Sequence, residues 1–203
     1  MAAKPHLPHV YLLRHGETAW TVTGQHTGRT DLPLNDQGER QARAVAARLA
    51  ALPIDHVIAS PLQRARRTAE LAMPDARIAL DDDLMEWDYG AYDGRTTVDI
   101  RAERPGWRLF RDGCPGGETI DGVGARADGV IGRVRERGGN VLLVAHREIL
   151  RVVAVRWIGL APKAGGGLML ATGSLSVLGY DHDIAEPAIH VWNDRGAAAA
   201  GAH

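Results

Sequence analysis

Three short apolar runs, each ending at a residue suited to chemistry, constrain this chain more than any other feature. His9 to Arg14 (HVYLLR) stops at His15-Gly16, residues 55–59 (DHVIA) lead into Ser60-Pro61, and residues 140–145 (NVLLVA) end at His146. Short apolar runs bounded by turn formers read as strands buried on both faces. Each is followed by a segment with helical apolar spacing: NDQGERQARAVAARLAAL, LQRARRTAELA and EILRVVAVRWIGL. Asn35 or Asp36 suits the cap of the first helix. Ser60 and Pro61 read as the cap and first turn of the second.

Strands alternating with helices predict an α/β fold: a doubly wound, mainly parallel central sheet with helices on both faces. Residues 77–80 add a short strand, and 174–180 (SLSVLGY) and 188–192 (AIHVW) add two more, expected at the sheet edge. The stretch 87–117, with its tryptophans, glycines and a short helical piece near TTVDIRAERP, reads as a small excursion over the active-site side of the sheet. GETIDGVGARADGVIGRVRERGG then resumes a helix. The expected organisation is a single domain over 1–196 with a disordered tail at 197–203.

Ligands of such sheets bind at the carboxyl ends of the strands, where this reading gathers Arg14, His15, Arg64 and His146, with Glu86 as a further candidate. Paired guanidiniums suit an anion, because their planar fork matches phosphate oxygens. A histidine is a nucleophile that works near neutral pH, and a protonated carboxyl can supply a leaving group with its proton. Together these are the parts that phosphoryl transfer needs.

Composition narrows the alternatives. A net charge of -1 over 203 residues offers no general attraction to nucleic acid or to a membrane surface. Cys114 is the only cysteine, which excludes an internal disulfide and any multi-cysteine zinc site. The opening MAAKPHLPH has no secretory apolar core, and no apolar stretch is long enough to span a membrane, so a cytoplasmic location is expected. GxxxxGK[ST], GxSxG and HExxH motifs are absent. No metal and no cofactor are expected. The partner is a small phosphoester, and the oligomeric state is left open, a homodimer being one option.

Residues 12–18 (LLRHGET) resemble the signature of the histidine phosphatase superfamily, the family of phosphoglycerate mutases and many acid phosphatases. GQHTGRTDLPL at 24–34, SPLQRARRTAE at 60–70, EWDYGAYDG at 86–94 and VAH at 144–146 follow in the family's order. The resemblance implies a phosphoglycerate mutase-like fold and attack on phosphorus by His15, with a phosphohistidine intermediate. It implies that Arg14, Arg64 and His146 hold the phosphoryl group, and that Glu86 is the proton donor, with Asp83 and Asp88 as neighbouring alternatives. Thr27 falls where the family often has a hydroxyl, and Thr21 where it often has Asn.

Within the family, EWDYGAYDGRTTVDIR and WRLFRDGCPGGET are similar to the branch of sugar-bisphosphatases and mycobacterial-type acid phosphatases. Trp87 stands where mutases usually carry an arginine, which favours hydrolysis over the alternative, a phosphoglycerate mutase-type isomerase. A non-catalytic phosphate-binding module is a third reading, disfavoured because His15 and both arginines are present. Arg147 and Glu148 replace the family's usual Gly and His after the second histidine, and Arg147 is expected at the pocket mouth, touching substrate. Arg108 and Arg111, with Arg101 and Arg104, are candidates for gripping a second anionic group; solvated helix-face charge is the competing reading.

Overall fold

The computed structural model describes residues 7–196, so the tail expected at 197–203 lies outside the described residues. Six strands form one sheet in the order β3-β2-β4-β1-β5-β6. They are β1 (Val10–Arg14), β2 (His56–Ala59), β3 (Ile78–Leu80), β4 (Val141–Ala145), β5 (Leu175–Tyr180) and β6 (Pro187–Asp194). β1, β4, β2 and β3 run parallel, while β5 is antiparallel to both β1 and β6.

Among the described residues, seven α-helices accompany them: α1 (Ala19–Thr23), α2 (Asp36–Leu49), α3 (Gln63–Ala72), α4 (Thr97–Glu103), α5 (Leu109–Asp112), α6 (Ile120–Arg137) and α7 (Arg147–Trp157). The side-chain alternation of the central strands divides the core in two. Val10 and Leu12 of β1 pack with α6, α7, Trp87 and Trp107, whereas Tyr11 and Leu13 pack with Val45 and Leu49 of α2 and Ala69 of α3. Helices therefore cover both faces, and the central strands are apolar throughout because neither face meets water. Among the described residues, no helix is long and apolar enough to cross a membrane.

Two local expectations are corrected. β5 is not at the edge: it lies between β1 and β6, so of the two only β6 is an edge strand. Ser60 does not cap the second helix. α3 begins at Gln63, after Leu62, and its N-cap position makes no side-chain hydrogen bond; the Ser60 hydroxyl faces His146 instead. Asn35 does cap α2, accepting from Gly38 N at 2.8 Å.

Candidate active site

Strand register assembles the site. Arg14 at the end of β1 pairs with Ala145 at the end of β4, and Ala59 at the end of β2 pairs with Val144. His15 N then donates to Ala145 O at 2.9 Å and Ser60 N to Val144 O at 3.0 Å. His15, Ser60 and His146 are therefore the first residues beyond three neighbouring strands. The two imidazole centroids lie 5.1 Å apart.

His15 is buried, and its Nδ1 lies 2.7 Å from Gly16 O. A carbonyl only accepts, so Nδ1 carries the proton and the lone pair of the neutral ring sits on Nε2. Burial, reinforced by the charges of Arg64 and Arg14, holds the ring well below its usual pKa. The imidazole is thus neutral at physiological pH, as a nucleophile must be.

Arg64 enters from the first turn of α3 and is fully buried. Its Nη1 donates to Thr30 O at 2.9 Å, and its Nη2 to Gly28 O at 2.9 Å and Thr27 O at 3.2 Å. Its Nε donates to His146 Nδ1 at 3.1 Å. A guanidinium cannot accept, so Nδ1 of His146 is the acceptor and its Nε2–H donates to Ser60 Oγ, 2.7 Å away. Both ring nitrogens of His146 are engaged by the protein. In this geometry His146 positions Arg64, leaving one Nη1–H of Arg64 for an anion.

Glu86 is buried against the first turn of α7. Its Oε1 accepts from Trp87 N at 2.9 Å and from Glu148 N and Ile149 N at 3.2 Å, and its Oε2 accepts from Glu148 N at 3.1 Å. Burial and the nearby Glu148 charge push its pKa up; the backbone donors and Arg64 pull the other way, and the balance is upward. The alternative acids are committed elsewhere: Asp83 pairs with Arg133 at 2.7 Å, and Asp88 accepts from Gly90 N at 2.9 Å.

Arg14 donates through Nη1 to Leu170 O at 2.6 Å, while its buried Nε has no hydrogen-bond partner. Burial and the adjacent Arg147 charge lower its pKa to about 10. Arg147, the first residue of α7, likewise has a buried Nε without a hydrogen-bond partner.

The remaining sequence candidates are less closely gathered. Thr21 lies in the capping box of α1, where its hydroxyl donates to Thr18 O at 2.9 Å. Thr27 contributes its carbonyl to Arg64, and its hydroxyl makes a long 3.5 Å contact with Gln25 O. Arg111 is exposed and paired with Asp112 at 2.8 Å, and Arg108 faces solvent at the start of α5. Trp87 and Trp107 are core residues.

The sequence gives no role to His26 or Tyr89, and offers Ser60 as a helix cap. The His26 ring lies tilted 4.8 Å from that of Tyr89 and edge-on 5.6 Å from that of Trp107, and the charges of Glu148 and Arg147 reach it. His26 and Tyr89 both lay inside recognised motifs, but nothing local marks them as a wall beside the reacting groups.

A neutral imidazole with one nitrogen available, two arginines and a buried carboxyl of raised pKa define a phosphoryl-transfer site. The chain belongs to the histidine phosphatase superfamily (branch 1), whose family model matches residues 10–195. It is 38% identical over 182 residues to an acid phosphatase of Mycobacterium tuberculosis, covering 88% of this chain and 89% of that protein. It is 34% identical over 186 residues to the sedoheptulose 1,7-bisphosphatase of Saccharomyces cerevisiae (75% and 68% covered). It is also 36% identical over 183 residues to a probable phosphoglycerate mutase of Photorhabdus laumondii (85% of each covered). A solved structure of a Mycobacterium tuberculosis open reading frame superposes with a TM-score of 0.87 at 37% identity, covering 92% of this chain and 97% of that one. The expected phosphoglycerate mutase-like architecture and the phosphatase reading agree with these relatives.

Proposed function

We propose that this protein is a cytoplasmic, metal-independent phosphohydrolase that removes phosphate from small metabolites, sugar phosphates or bisphosphates among them, through a phosphohistidine on His15. The observation that carries the reading is the Nδ1 contact of His15 with Gly16 O, which leaves Nε2 as the lone-pair nitrogen of a neutral ring beside two arginines. In the first step Nε2 attacks phosphorus, the N–P bond forms and the ester P–O bond breaks. Glu86 gives its proton to the departing alkoxide. Oε2 suits this task, because it accepts one backbone N–H while Oε1 accepts three. In the second step the Glu86 carboxylate takes a proton from water, whose oxygen attacks phosphorus as the N–P bond breaks. Arg14 and Arg64 balance charge on the phosphoryl oxygens throughout, and His146 with Ser60 keeps Arg64 in place.

The names of the mycobacterial and yeast relatives support hydrolysis, as does Trp87, a buried residue whose indole N–H is bound to Glu118 O. The mutase reading draws support from the Photorhabdus relative. Phosphate release measured in EDTA, over sugar mono- and bisphosphates, 3-phosphoglycerate and an aryl phosphate, separates the two. Hydrolysis predicts release that disappears in His15→Ala. Interconversion of phosphoglycerate without release would establish the mutase, and release that survives in His15→Ala would remove His15 as nucleophile.

A further inference from the structure

Several arginines of this chain face carboxylates at short range: Arg95, Arg126, Arg133 and Arg156 all have one within 2.8 Å. Arg14 and Arg147 differ. Each has a buried Nε–H with no hydrogen-bond acceptor, and such donors are rare in folded proteins because an unmet one is costly. The two side chains are steered by one dipeptide, Leu170 O accepting from Arg14 Nη1 at 2.6 Å and Met169 Sδ lying 4.0 Å from Arg147 Nη2. A thioether is a weak acceptor, so the Arg147 guanidinium is placed without being satisfied.

The Glu148 carboxylate pairs with it only loosely. Glu148 Oε1 stays 3.8 Å from Arg147 Nε, beyond hydrogen-bond distance, because Oε2 of Glu148 is bound by Arg151. Arg151 is itself fixed, donating to Gly165 O at 2.8 Å with its guanidinium 4.6 Å from the Phe110 ring centre. Nor can the amino end of α7 serve a further anion, since the N–H groups of Glu148 and Ile149 already bind Glu86.

We infer that Arg147, beside Arg14, binds a second anionic group of the substrate, so that the enzyme prefers phosphate monoesters carrying another phosphate or a carboxylate. The inference rests on the phosphatase reading for the first anion. The charge of Arg147 already bears on Arg14, as expected of two cations that await a shared anion. Arg147 thereby determines specificity.

The test compares wild type with Arg147→Met, which keeps an apolar stem and removes the charge. kcat/KM is measured for a sugar bisphosphate, a phosphoglycerate, a sugar monophosphate and an aryl phosphate. We expect the ratio of two-anion to one-anion substrates to fall about 10- to 100-fold, chiefly through KM. The bisphosphate and phosphoglycerate arms show which second anion is recognised. Calorimetric binding of the same bisphosphate and monophosphate to His15→Ala and to His15→Ala with Arg147→Met reads the subsite without turnover. It therefore separates failure of this inference from failure of the catalytic one. Thermal unfolding of each variant confirms that it folds. A wild type with no preference for two-anion ligands, or a preference that Arg147→Met leaves intact, would overturn the proposal.

Discussion

Replacing Gly38 by alanine should destabilise the protein, although helix propensity alone predicts the opposite. Gly38 is the third residue of α2, where alanine is favoured over glycine by about 0.8–1 kcal/mol. A Cβ at this position, however, would sit 2.1 Å from Glu17 O, against 3.4–4 Å for ordinary contact; a Cβ on Gly16 would meet Gly38 O at 2.3 Å. These neighbours are backbone atoms, and Asn35 N binds Glu17 O at 3.0 Å, so the strand-end loop and the helix must part. Overpacking of this kind costs about 1–3 kcal/mol. For a chain this long that lowers Tm by roughly 2–4 °C per kcal/mol. The loop that must move carries the Gly16 carbonyl that orients His15. A shift near 1 Å at a nucleophile costs up to about 10²-fold in rate, so kcat/KM should fall toward that limit. Gly132 in α6 is the control, because nothing lies within 4 Å of a Cβ there; Gly132→Ala should stabilise by about 0.5–1 kcal/mol and leave kinetics alone. Thermal unfolding and phosphate-release kinetics on the three proteins read both effects. A Gly38→Ala protein as stable and active as wild type would refute the reasoning.

Three further variants test the site. Glu86→Gln should lower kcat for alkyl phosphates by about 10²–10⁴ and for aryl phosphates far less, since a good leaving group needs little help from an acid. Because the Glu86 pKa is raised above 4.5 in the folded protein, its contribution to stability is present below 4.5 and lost as pH rises through the folded value; denaturant titrations of the Gln variant should lack that loss. His15 and His146 shift the other way. Held well below 6.5, they give stability that is present above 6.5 and lost as pH falls below it, so His15→Gln should flatten the acid limb of stability against pH. Ser60→Ala should cost about 1–3 kcal/mol in stability by leaving the His146 N–H buried and unmet. Its effect on kcat/KM should largely vanish in a His146→Ala background, which double-mutant kinetics would reveal.

The central strands were legible because each is a buried apolar run, and their ends were legible because His15 and His146 interrupt those runs. The same property hides the position of β5: a strand with Leu175, Leu178 and Tyr180 buried beside the equally buried Ser176 reads equally well as edge or interior, and pairing is settled only by partners elsewhere in the chain. Ser60 reads as a helix cap because a serine before a proline is a strong local helix signal; its hydroxyl does accept from Leu62 N at 3.3 Å, but its shorter contact is with His146, 86 residues away. Arg111 looks available because charge is visible in sequence, while its pairing with Asp112 depends on how α5 folds. Arg147 shows the converse. Its departure from the family pattern was readable, but its unmet Nε required the placement of Glu148 against Arg151.

The central claim is that phosphorus is transferred twice, first to His15 and then to water. The stereochemical course tests it most directly, using a phosphorothioate monoester made chiral at phosphorus with two oxygen isotopes and hydrolysed in water of the third. Two in-line displacements predict thiophosphate with net retention of configuration; net inversion would mean direct attack by water and would contradict the account.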